Sequence, residues 1–95
     1  MNIKISSHLG TDLSSRARAA QFRAEVLSAV ARDGRVVLDF SSVRTLSDSF
    51  SDELFAVLVD QQGEEWFKRS VHLVGLDGSV RISILEAVLS RQQRV

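Results

Sequence analysis

Cysteine, proline and tyrosine are absent from this 95-residue chain, and methionine and tryptophan occur once each. Without cysteine there is no disulfide framework and no thiolate metal site. The two histidines, His8 and His72, lie far apart and in no metal-ligand spacing. No charge of one sign dominates: 12 basic residues balance 12 acidic ones, and the sequence pI is about 6.7. Nucleic-acid binding, which rests on a basic surface, is therefore not expected. No apolar run approaches the roughly 20 residues that span a bilayer, so no membrane segment is expected. The first residues, Met1 to Ser6, lack the apolar region of a secretory signal, which makes the cytoplasm the expected compartment. Catalytic signatures are missing too. There is no G-x-G-x-x-G, no phosphate-binding G-x-x-x-x-G-K-[ST], no H-E-x-x-H and no G-x-S-x-G. The expectation is a protein that is not an enzyme and needs neither cofactor nor metal.

What is present suits one small folded domain over residues 1–95. Hydrophobic residues make up 44% and charged residues 25%, which excludes intrinsic disorder. A chain of this size buries about 60–70% of its unfolded surface, enough for one core.

The five glycines fall at joints between periodic segments. Residues 2–6 alternate, with Ile3 and Ile5 on one face, and read as a strand. Thr11 or Asp12 is positioned to cap a helix running to about Arg32. Phe22, Val26 and Val30, with Ala19 and Ala29 beside them, form its core stripe. A second stripe of Leu13, Ala17, Ala20, Ala24, Leu27 and Ala31 is either covered or offered to a partner. Asp33-Gly34 signals a turn, and the near-continuous apolar run of residues 35–40 suits a strand buried on both faces. A polar connection, Ser41 to Asp48, leads to a helix from about Ser49 to Gln62, ended by Gly63. Trp66 and Phe67 fall in the return connection to a strand over residues 70–74. Residues 79–92 show both alternation and helical spacing, and their length favours a helix. The resulting β-α-β-α-β-α order implies a small α/β fold, with a parallel or mixed sheet of three to four strands and helices packed on it.

The informative stretch is Val36 to Gly63, VVLDFSSVRTLSDSFSDELFAVLVDQQG. A strand delivers Asp39 to its carboxyl end, where function gathers in open α/β sheets. Ser47, Asp48, Ser49, Ser51 and Asp52 crowd the start of the following helix. Local structure accounts for much of this. Ser49-x-x-Asp52 resembles a capping box, and Asp52 and Glu53 complement the helix dipole. A Ser49–His72–Asp39 triad can be drawn, but nothing in the spacing supports it. Arg16 and Arg23 either snorkel beside the core stripe or meet a carboxylate such as Asp39 or Asp48. Phe55 and Val59 share a second helix face, which is either an exposed patch for a partner or is covered by the Trp66–Phe67 connection.

Asp39-Phe40-Ser41-Ser42-Val43, followed by Ser47-Asp48-Ser49-Phe50-Ser51-Asp52-Glu53, resembles the STAS superfamily, which includes the bacterial anti-sigma-factor antagonists. The Asp-Phe strand end and the Ser-Phe-x-Asp-Glu helix opening are most similar to a STAS-like family of unknown function, and Ser15-Arg16 suits it as well. The resemblance covers about residues 14–92. It implies a small α/β binding module, a GHKL-type kinase or ATPase as protein partner, and release by phosphorylation of a serine at the start of the second helix. An ungapped count from Asp39 places the antagonists' acidic residue on Ser47, the phosphoacceptor on Asp48, the next serine on Ser49 and a glycine on Phe50. The acceptor position thus carries a carboxylate, which imitates part of a phosphoserine's charge; a shifted register makes Ser47 or Ser49 the acceptor instead.

The sequence therefore directs attention to Ser47, Asp48, Ser49, Asp52, Glu53, Phe55 and Val59 as a partner-binding and regulatory surface, with Ser47 and Ser49 as candidate phosphoacceptors. The alternative is a structural homo-oligomeric module, such as a homodimer, that has no phosphoswitch.

Overall fold

A computed structural model describes residues 1–92. Three strands, β1 (Asn2–Lys4), β3 (Val36–Asp39) and β5 (Val71–Val74), form a parallel sheet in the order β1-β3-β5. Between them run α1 (Ile5–Leu9), the long α2 (Arg16–Asp33), α3 (48–62) and α4 (Glu64–Ser70); α5 (Gly78–Gln92) follows β5. Two further segments, β2 (Asp12–Leu13) and β4 (Thr45–Leu46), pair in parallel as a separate two-stranded ribbon. The expected α/β class with a parallel sheet and helices packed on it is what the chain adopts.

Register decides which face of the sheet is core. Ile3, Leu38 and Leu73 align in one row, and Val36 lies opposite Val71. Val36 and Leu38 are fully buried. The other face carries the rows Asn2–Val37–His72 and Lys4–Asp39–Val74, and Val74 at its edge remains 45% exposed. The run at residues 35–40 is thus buried on one face, not on both. Strand order follows chain order, and right-handed crossovers that step in one direction place their helices on one side.

Several boundaries depart from the sequence reading. The first strand ends at Lys4 rather than Ser6, because Ile5 opens α1; strand and helix turn Ile5 inward equally well, and it is fully buried. The cap of α2 is Ser15, whose Oγ accepts the Arg18 N–H at 3.2 Å. Asp12 is engaged elsewhere: its carboxylate accepts from Arg44 Nη2 and Thr45 Oγ1, each at 2.9 Å, which ties β2 to β4. Leu13 consequently packs from the ribbon and does not belong to a helical stripe. The predicted core stripe of α2 holds, with Ala19, Phe22, Val26, Ala29 and Val30 all buried. In the second stripe, Ala17, Ala24 and Ala31 are exposed while Leu27 packs partly on the core. Gly34 ends α2 in the left-handed region, φ +85°, and its N–H reaches the Val30 carbonyl at 2.8 Å.

The expected connection around Trp66 and Phe67 is helical. Its charges explain this, with Glu64 and Glu65 in the first turn, Lys68 and Arg69 in the last, and a Glu64–Lys68 pair at 3.3 Å. Residues 78–92 form a helix, as length suggested. Asp77 starts it by accepting the Val80 N–H at 2.9 Å and the Ser79 hydroxyl at 3.0 Å. No helix among the described residues is long and apolar enough to cross a membrane.

Candidate functional site

Helix α3 is built from Asp48–Ser51, Asp52–Ala56 and Val57–Gln62, and its middle stretch is π-helical. The residue that caps it is Ser47, not Ser49: Ser47 Oγ accepts the Phe50 N–H at 3.1 Å. The expected Ser49–Asp52 capping box does not form, because the helix begins one residue earlier and Asp52 already lies beyond its first turn. Ser49 instead lies with its Oγ 3.2 Å from Ser47 Oγ, and both hydroxyls reach the Ser14 carbonyl at 3.4 Å. The backbone completes the junction, since the Ser47 N–H donates to the Leu13 carbonyl at 2.9 Å. The start of α3 is therefore stitched to the loop that opens α2.

Asp52 and Glu53 both face α2. Arg16 Nη1 donates to Asp52 Oδ2 at 3.2 Å and to Glu53 Oε2 at 3.1 Å. Arg23 donates to the Glu53 carbonyl and lies 3.8 Å from its carboxylate. A side chain inserted at a backbone carbonyl is one way in which a helical ladder shifts, and this insertion falls within the π-helical stretch. The carboxylates that Arg16 meets are thus Asp52 and Glu53, rather than Asp39 or Asp48. The Arg16 side chain is about half exposed, so its ion pairs contribute at most about 1 kcal/mol. They orient charge more than they hold the helices together.

Ser51 turns inward. It is fully buried and its Oγ lies 3.0 Å from Ser83 Oγ, which donates to the Leu46 carbonyl at 3.1 Å. This polar chain links α3, α5 and β4 across the core, and every buried side-chain polar atom among the described residues is satisfied. Phe50, expected at a position where the resembled antagonists have glycine, is buried in the core.

Asp48 remains. It is exposed in the first turn of α3 and makes no side-chain hydrogen bond or ion pair among the described residues. It borders a cleft of about 580 Å³ lined by Arg16, Asp48, Ser49, Asp52, Glu86 and Ser90. Among the described residues, three carboxylates and one guanidinium line it. Glu86 and Ser90 come from α5, and nothing in the local sequence connected that helix with the 47–53 segment. Packing alone brings them together.

Phe55 and Val59 are not part of this surface. Phe55 is fully buried and Val59 nearly so. The Phe55 ring packs against Phe40 and edge-on against Phe67, with centroids 5.7 and 6.2 Å apart. Phe67 covers Phe55, and with both residues buried the reading of an exposed patch at Phe55 and Val59 is corrected. The triad finds no geometric support either. Ser49 bonds to Ser47 and Ser14, while Asp39 accepts the Ser41 N–H at 2.9 Å. Hydrogen bonding from Ser41, helped by the Lys4 charge, lowers the Asp39 pKa below its ordinary value of 3.8. No group of three or more His, Cys, Asp or Glu side chains among the described residues could hold a metal ion.

A larger groove of about 660 Å³ lies elsewhere, between β1, α1 and α2. Lys4 lines it together with two paired groups, His8 with Glu25 at 2.7 Å and Arg32 with Asp33 at 3.5 Å; none of residues 47–53 lines it, so the cleft at the start of α3 is the candidate site.

Among known proteins, no curated protein and no solved structure gives a significant match to this chain. A family model does match, over residues 18–81; its description is a STAS-like domain of unknown function (DUF4325). The matched stretch runs from the first turn of α2 into the first turn of α5, somewhat less than the 14–92 expected from the motifs, and contains the whole 36–63 segment. On that match, over more than half of its length, the chain belongs to this family of STAS-like domains.

Proposed function

We propose that the protein is a non-enzymatic regulatory module that binds a partner protein at the cleft beside the start of α3. The observation that carries this reading is Asp48. It is solvent-facing and without a side-chain partner among the described residues, while its neighbours Ser47 and Ser49 are tied into the α2–α3 junction. A carboxyl group left exposed at a helix N-terminus, on the rim of a cleft that two further carboxyl side chains line among the described residues, is placed to read a cationic group on a partner.

The STAS-like family membership supports a GHKL-type kinase or ATPase as that partner, by analogy with the anti-sigma-factor antagonists. A phosphoserine would add about −1.5 to −2 charges beside the carboxyl groups of Asp48, Asp52 and Glu86, repelling an acidic partner surface and altering the fit of a basic one. Of the two candidate acceptors, Ser49 is the one whose modification leaves the α3 cap in place, because the cap bond belongs to Ser47.

The test is affinity capture from the native cells with the wild-type chain and with Asp48→Arg, followed by the intact mass of the recovered protein. The reading expects a GHKL-type protein to be retained by wild type and lost by at least about tenfold with Asp48→Arg. Equal retention by both, or no such protein with wild type, counts against it. An added phosphate located on Ser49 by fragmentation would support the switch.

A further inference from the structure

Helix α5 carries an apolar stripe that the fold does not use. Val80 and Ile84 are buried, whereas Ile82, Leu85 and Leu89 are 56%, 54% and 53% exposed. At 100° per residue these three side chains fall within one narrow sector, opposite the buried face. Their spacing, three residues and then four, is the a-d-a spacing of a coiled-coil seam. Arg81 and Glu86 flank the seam on opposite sides, at the g and e positions. Both are exposed, and neither has an ion-pair partner among the described residues.

That charge pattern names the occupant. In a parallel helix pair a g residue meets the e residue five positions further along the other helix. Arg81 and Glu86 stand five positions apart with opposite charge, so two copies of α5 placed side by side in parallel satisfy both residues twice. An antiparallel pair would instead set g against g and e against e, leaving both charges unmatched.

We infer that the chain self-associates as a two-fold dimer through parallel pairing of α5, with Ile82, Leu85 and Leu89 at the seam and Arg81 of each copy on Glu86 of the other. The contact is isologous, so it closes at two copies. The seam is one heptad long, well below the roughly 1,600 Å² of a stable interface, so association is weak and concentration-dependent. Glu86 also lines the cleft at the start of α3, so dimer and cleft partner compete for it. The inference does not depend on the identity of that partner.

Sedimentation equilibrium of the full chain from about 10 μM to about 1 mM tests this, a range matched to Kd values of weak association. Wild type should pass from monomer to dimer across the range. Leu85→Asp should remain monomeric with unchanged circular dichroism. Arg81→Glu and Glu86→Arg should each weaken the dimer by about fivefold or more, and the double exchange Arg81→Glu/Glu86→Arg should restore it. A monomer throughout overturns the inference. So does a dimer indifferent to Leu85→Asp, which would use another face such as the small-residue stripe of α2. Failure of the double exchange to restore association overturns the parallel geometry.

Discussion

Single positions at the carboxyl end of the sheet show how tightly the loops above it are built. Gly75 follows β5 with φ +70°, a conformation that costs any side-chain-bearing residue. A Cβ there would also stand 2.5 Å from Ser41 Oγ and 2.7 Å from both Asp39 Oδ1 and the Ser41 nitrogen. Gly75→Ala should therefore lower stability by about 2 kcal/mol or more, read as a shift in the urea midpoint at unchanged slope. An unchanged midpoint would show that the Asp39–Ser41 turn yields freely. Asp77 offers a pH test. Hydrogen bonds from the Val80 N–H and the Ser79 hydroxyl hold its pKa below the ordinary 3.8. A depressed folded-state pKa stabilises fully above the unfolded value, and the benefit is lost as pH falls through the folded value. Stability should then decline as the pH falls below about 4, and less steeply in Asp77→Asn, which has no proton to take up. Urea midpoints measured down that range would show it, and identical slopes would refute it.

Among the elements, the start of α3 separates two serines that look alike in the sequence. Ser47 caps the helix; Ser49 only bridges to Ser47 and the Ser14 carbonyl. Ser47→Ala should cost about 1 kcal/mol, within the usual 0.5–2 range for a lost cap, and Ser49→Ala a few tenths. Thermal unfolding of the two variants distinguishes them, and equal losses would mean that the cap bond does not dominate. The capping-box pattern misled for a physical reason. Ser-x-x-Asp occurs at Ser49–Asp52, but the parallel β2–β4 pairing sets where the chain leaves the ribbon and hence where α3 begins. The two-residue strands β2 and β4 carry no periodicity that a sequence can show; only their pairing makes them strands.

Across the whole molecule, packing of the helices against the three-stranded sheet reassigns residues between core and surface. Phe55 becomes core because α4 carries Phe67 against it, and Val59 is buried beside it on the same helix. Ile82, Leu85 and Leu89 remain outside because α5 can turn only one of its apolar faces toward α3. Two surfaces then adjoin, the acidic cleft at Asp48 and the α5 stripe, with Glu86 in common. The proposed dimer and the proposed partner would both use this carboxylate.

The sequence by itself determined the class of the protein. Helical and alternating periodicities carried the three sheet strands, the two long helices between them and the buried stripe of α2, and length carried the helix expected over residues 79–92. The Asp39-Phe40 and Ser49-to-Glu53 elements carried the STAS-like family, which the family model supports over residues 18–81. These features are local, set by propensity, spacing and side-chain type within a few residues. The tertiary structure alone decided which serine caps α3, which carboxylates Arg16 and Arg23 hold, that Ser51 faces Ser83, and that Glu86 borders the same cleft as Asp48. Each of those contacts joins residues about 30 or more positions apart or depends on the register of a distant strand pair. Such contacts form only when burial of the common core fixes the helices against the sheet, and no local pattern encodes them.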